Sequence, residues 1–153
     1  MSATDPTDDT LSRLIARHRD SEGPLLPILH DMMEAFGHID EGTYPQLGRA
    51  LGITRAEIHG VVSFYHDFKT RPNGHHTIKL CRAEACQSVG ATETQSALFD
   101  RLGLTDFGTT PDGRITVEAV YCLGLCACGP AALVDTQPRG RVSAQSLATE
   151  VGA

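Results

Sequence analysis

The chain has 153 residues, 41% hydrophobic and 21% charged, the composition of a globular protein of one domain or two small ones. Its 13 basic and 19 acidic residues leave a formal charge of −6, which argues against the basic face that nucleic acid requires. No apolar run approaches the ~20 residues of a membrane span, and no basic segment followed by an apolar one opens the sequence. A cytoplasmic protein without membrane insertion is expected.

Residues 1–10 (MSATDPTDDT) are acidic and polar with no apolar period, and they read as a disordered tail. TLSRLIARH then suits a short helix with Leu11, Leu14 and Ile15 on one face. In GPLLPILHDMMEAFG the residues Leu25, Ile28, Leu29, Met32 and Phe36 fall at helical spacing. Pro24 and Pro27 sit where a first turn tolerates them, and Gly37 suits the stop. YPQLGRALG offers a shorter helix. Thr54 and Glu57 form a capping box, each side chain reaching the other's free backbone N–H. The helix it opens should bury Ile58, Val61, Val62, Tyr65 and Phe68 and run on until Pro72, Asn73 and Gly74 break it. Residues 11–72 thus read as a helical bundle.

From residue 73 to 153 the character changes. HTIKLC is strand-like, TETQSALFDRLGL is an amphipathic helix through Ala97, Leu98 and Leu102, and PDGRITVEAVYC supplies a turn and a second strand. AALVDT is a third strand, and PRGRVS reads as a hairpin into a fourth. SAQSLATEVG closes with a helix capped by Ser143. This order suggests a compact α/β sandwich.

Five cysteines without an export signal point to metal or redox use rather than to a disulfide framework. They form two pairs, Cys81-x4-Cys86 and Cys122-x3-Cys126, separated by 35 residues, with Cys128 left over. Each first cysteine is expected to end a strand, with its pair in the following loop. If the strands are neighbours, both loops emerge at one end of the sheet and four thiolates converge. A [2Fe–2S] cluster needs that arrangement, two thiolates per iron. Zinc is the competing metal, and a structural zinc-binding assembly module the competing function, but zinc knuckles are usually tighter and the wider x4 and x3 gaps suit a two-iron cluster better. Thiols with a purely structural role are a third reading. A thioredoxin-type redox enzyme would need a C-x-x-C, and none is present. No phosphate-cradling glycine motif is present either.

The histidines add no ligand by spacing. His75 and His76 read as solvated, in a turn before a strand. His59 and His66 would lie two helical turns apart, about 10 Å, which is too far for one ion. Gly124 and Gly129 read as turn residues that could let backbone N–H groups approach the sulfurs. If the chain is extended at Cys126 and Cys128, their side chains point the same way, and geometry leaves both eligible as ligands.

HGVVSFYHDFKTRPNG, the C-R-A-E-A-C pair and VEAVYCLGLCACGPAALV resemble the small thioredoxin-like [2Fe–2S] ferredoxin subunits. Such subunits occur in the NADH-oxidising module of complex I, in NAD-reducing hydrogenases and in NAD-dependent formate dehydrogenases. The resemblance implies an α+β protein with an N-terminal helical bundle followed by a thioredoxin-like domain. It also implies a [2Fe–2S] cluster bound by Cys81, Cys86, Cys122 and Cys126, with Cys128 not a ligand. The implied role is that of a non-catalytic electron-transfer subunit, inactive alone. Its implied partner is a flavin subunit that binds FMN and NAD and, through it, a larger iron–sulfur/molybdenum catalytic subunit. CLGLC and the single-module length are most similar to the gamma subunits of NAD-dependent molybdenum formate dehydrogenases.

Overall fold

The structure, a computed structural model, describes residues 6–153. The chain divides into two compact units, Met1–Pro72 and Asn73–Ala153.

The first unit is helical: α1 (Pro6–His18), α2 (Leu25–Phe36), α3 (Tyr44–Leu51) and α4 (Arg55–Phe64). Helix α1 starts inside the segment read as a tail. Proline suits a first helical turn, and Asp8 and Asp9 there complement the positive end of the helix dipole. The rest of that expected tail, residues 1–5, lies outside the described residues. Leu11, Leu14 and Ile15 of α1 join Ile28, Leu29, Met32, Tyr44, Leu47, Ile58 and Val62 in one core. Gly37 ends α2 in the left-handed region (φ 72°), donating its N–H to Met33 O. The Thr54–Glu57 capping box is present with both of its bonds.

Helix α4 ends earlier than its sequence suggests. Tyr65 is already extended (φ −92°, ψ 112°) and lies partly in solvent, well before Pro72. Gly60, two valines, Ser63 and two aromatic residues in succession are weak helix formers, so the helix stops where packing no longer compensates. Phe68 still enters the core, because a turn closed by its N–H to Tyr65 O (3.0 Å) brings it back.

The second unit holds β1 (His76–Cys81), α5 (Glu84–Gln87), α6 (Ala91–Leu102), β2 (Gly108–Thr109), β3 (Ile115–Val120), β4 (Ala131–Val134), β5 (Gln137–Gly140) and α7 (Ala144–Glu150). The strands form one sheet in the order β2-β3-β1-β4-β5. β1 and β3 run parallel, and the other pairings are antiparallel. Helices α6 and α7 pack together and share a core with Ile78, Leu80, Ile115, Val117, Ala132 and Val134. The buried stripe of α6 is Ala91, Leu98, Phe99 and Leu102, while Ala97 faces solvent. Phe99 occupies the place expected for Ala97, its ring edge-on to Phe107 at 5.2 Å. Ser143 caps α7, its hydroxyl accepting the Ser146 N–H at 3.1 Å. The α+β class stands.

Candidate metal centre

The sheet brings the two thiol loops to one end. β1 and β3 are parallel neighbours with Cys81 in register with Val120, and the Arg82 N–H still reaches Val120 O at 2.7 Å. The chain therefore leaves both strands on the same side. Cys81 closes β1 as expected. Cys122 does not close β3: the strand stops at Val120, an exposed Tyr121 follows, and Cys122 adopts a left-handed backbone (φ 74°). Its direction is set by that turn, a backbone conformation uncommon in residues other than glycine. Gly124 (φ 75°) continues the turn and donates its N–H to Cys122 Sγ at 3.4 Å.

The first pair is buried. Cys86 lies on the single turn α5, and Cys81 and Cys86 are 3% and 2% exposed, packed with Ala91, Ala131, Val120, Leu123 and Leu125. Burial pushes the Cys81 thiol up, but N–H donors from Ala83, Cys122 and Leu123, with the Cys86 thiol, outweigh it and hold Cys81 below its ordinary value. Two of these donors belong to the second loop. Burial and then the neighbouring Cys81 raise Cys86, against the Ala131 N–H.

The second pair is exposed, with Cys122 Sγ and Cys126 Sγ 3.7 Å apart. Cys122 is the largest influence on Cys126 and raises it. Gly129 allows a close approach of backbone to sulfur. A Cβ there would stand 2.8 Å from Val89 Cγ2 and 3.5 Å from Cys86 Sγ, so the bare glycine lets the second loop lie against the first. The donors Ala83, Leu123 and Ala131 were not visible in the sequence, because an amide's direction leaves no mark on residue type.

Cys128 stands apart. Cys126–Cys128 form a 3₁₀ turn, not an extended segment. At three residues per turn, side chains two apart diverge by about 120°, so the condition under which both would face one ion is not met. The histidines are also elsewhere. His59 is exposed on α4, His66 lies beyond its end, and His76 begins β1 with Nδ1 3.0 Å from Asp135 Oδ2. Among the described residues no three His, Cys, Asp or Glu side chains close around a single ion. The four loop thiols are grouped as two pairs.

A family model described as thioredoxin-like [2Fe–2S] ferredoxin matches residues 11–151. The chain belongs to the thioredoxin-like [2Fe–2S] ferredoxin family. It is 31% identical over 122 residues to the NADP-reducing hydrogenase subunit HndA of Solidesulfovibrio fructosivorans, covering 80% of this chain and 71% of that one. It is 29% identical over 140 residues to NADH-quinone oxidoreductase subunit 2 of Thermus thermophilus, covering 90% and 77%. The crystal structure of an air-oxidised NAD+-reducing [NiFe]-hydrogenase superimposes with a TM-score of 0.71 at 26% identity, over 89% of this chain. This ferredoxin spans only 23% of that crystallised chain, and 21% of the NAD-reducing hydrogenase HoxS subunit alpha of Cupriavidus necator, to which it is 31% identical.

The cofactor of this family is a [2Fe–2S] cluster, and the donors here suit one. All are soft thiols, they come two by two, and amide N–H groups surround them, as a cluster of net negative charge requires.

Proposed function

We propose that this ferredoxin is the electron-transfer subunit of a cytoplasmic NAD-dependent oxidoreductase complex. Cys81 and Cys86 would hold one iron of its [2Fe–2S] cluster, and Cys122 and Cys126 the other. The cluster, when bound, supplies one-electron chemistry. The chain's own residues do the rest. Leu123, Leu125 and Val120 shield the inner thiols from water, and the Gly124 amide donates to Cys122 Sγ where negative charge must be carried. The observation that carries the reading is the meeting of the loops: parallel β1 and β3 send both thiol loops out at the same end of the sheet, and Gly129 of the second lies against Cys86 of the first.

The partner in this proposal is a flavin subunit that binds FMN and NAD. Electrons reach it from a larger iron–sulfur/molybdenum subunit of a formate dehydrogenase. The CLGLC stretch at 122–126 supports that parent complex. A homologous place in complex I or in an NAD-reducing hydrogenase is the second reading, favoured by the names its relatives carry. No helix among the described residues is long and apolar enough to cross a membrane.

Mixing experiments test the proposal. The isolated ferredoxin should be unreactive with NADH and with formate, and its visible absorbance should bleach with NADH only once the flavin subunit is added. Formate should replace NADH when the molybdenum subunit is present too. Tight NAD binding by the isolated chain would contradict the assignment. Bleaching by hydrogen and not by formate in the purified complex would move it to a hydrogenase.

A further inference from the structure

Cys128, the thiol outside the proposed ligand set, is attached to the sheet edge in two ways. Its carbonyl oxygen accepts the Arg141 N–H at 2.7 Å. Its side chain lies over Gly140, where an added Cβ would stand 2.9 Å from both Cys128 Sγ and Cys128 O and 3.1 Å from Cys128 Cβ. Gly140 ends β5 in register with Ala131 of β4 and is not among the residues of positive φ. Glycine is needed there for room, not for backbone conformation. Arg141 follows in the left-handed region (φ 52°) and turns its N–H toward the Cys128 carbonyl.

We propose that Cys128 is a positioning residue for Cys126. The two belong to one 3₁₀ turn, Cys126–Cys128, and a hydrogen bond at one end alone would let that turn swivel. The contact of the Cys128 side chain with the bare Cα of Gly140 blocks the swivel. The height and rotation of the turn are then fixed against β5, and with them the direction in which Cys126 presents its thiol. The half-buried sulfur of Cys128 acts as a spacer of fixed size, and neither binds iron nor exchanges electrons. The inference rests on the ligand reading above.

The test uses the cluster-loaded protein and reads its EPR g-values, its rate of cluster loss to a chelator, and the far-UV circular dichroism of the chain. Gly140→Ala should keep the circular dichroism, shift the g-values and speed cluster loss by about tenfold, as loss of a supporting contact around a metal site does. Gly60→Ala, whose Cβ would meet nothing within 4 Å, should change neither spectrum nor lifetime. Cys128→Ser, nearly the same shape, should match the wild type. Combining Cys128→Ala with Gly140→Ala removes the collision with sulfur but not those with the carbonyl and the Cβ, so its g-values should return part of the way. If Gly140→Ala fails to fold, Cys128→Leu presses on the same contact from the other side and should give the same shift. Gly140→Ala or Cys128→Leu indistinguishable from Gly60→Ala, while Cys126→Ser empties the site, would overturn the positioning role alone. Cys128→Ser emptying the site while Cys126→Ser keeps it would overturn the ligand reading, and this inference with it.

Discussion

The two thiol loops leave neighbouring parallel strands at the same end of one sheet, yet they meet different surroundings. The first loop folds into the single turn α5 and carries both sulfurs inward, 3% and 2% exposed, into a small apolar cluster. The second turns through the left-handed Cys122 and Gly124 and leaves both sulfurs in solvent. The difference follows from what each loop packs on. The first has Ala91 and Ala131 around it, small enough for sulfur to nest against them. The second packs on the first, through Gly129, and so becomes the outer wall. A cofactor held between them would face protein on one side and water, or a partner, on the other.

Substituting the thiols gives the largest effects and can break this comparison outright. Cys86→Ser places a hydroxyl in an apolar site and removes a soft ligand, so it should empty the cluster and lower the thermal midpoint of the chain. Cys126→Ser, on the exposed loop, should shift the visible and EPR spectra and retain more iron than Cys86→Ser. Iron retention in the reverse order would show that burial does not distinguish the loops.

A smaller effect is expected where the loops touch. Gly129→Ala drives a methyl into Val89 Cγ2 at 2.8 Å and toward Cys86. Cluster loss should quicken a few-fold, at or below the ~10-fold typical of a supporting residue around a metal. Val89→Ala in the same chain should restore the wild-type rate, because it removes the atom that the methyl meets. Failure of that rescue would mean that the loops do not meet through Gly129 and Val89.

The smallest effect lies at the other end of β1 and sharpens the comparison by leaving both loops alone. The Thr77 N–H bonded to Asp135 Oδ1 lowers the Asp135 pKa from 3.8; burial opposes that, and His76 adds to it. A carboxylate held low in the folded chain stabilises it above the unfolded value, and that contribution is lost as pH falls through the lowered folded value. Both side chains are nearly half exposed, so solvent screens the His76 pair and the contribution is small. Asp135→Asn tolerates the left-handed backbone (φ 55°) and still accepts the amide. The wild type should therefore be slightly more stable than Asp135→Asn at neutral pH, and the gap should close in acid below 3.8. The cluster spectra of the two should coincide throughout.

Much of this was legible in the chain itself. Periodicity placed α2, α3 and α6, the Thr54–Glu57 pair announced α4, and alternation placed β1, β3 and β4. The cysteine spacing pointed to two pairs in two loops. Helix ends were less visible: the stop at Phe64 depends on a run of weak formers with no single breaker, and the start at Pro6 lies in a segment whose polarity masked its helical first turn. β2, only Gly108–Thr109, exists because β3 offers it an edge, which no local pattern encodes. The left-handed Cys122 and the 3₁₀ turn at Cys126–Cys128 are backbone conformations that residue type does not announce. They decide which thiols face one another, and spacing alone left that open.

Iron and acid-labile sulfide, assayed on protein purified without exposure to oxygen, test the central claim most directly. The account expects two irons and two sulfides per chain, with an EPR signal from one unpaired electron appearing only on reduction. It expects the same stoichiometry in Cys128→Ser. Stoichiometric zinc without sulfide in protein that was never refolded would contradict it.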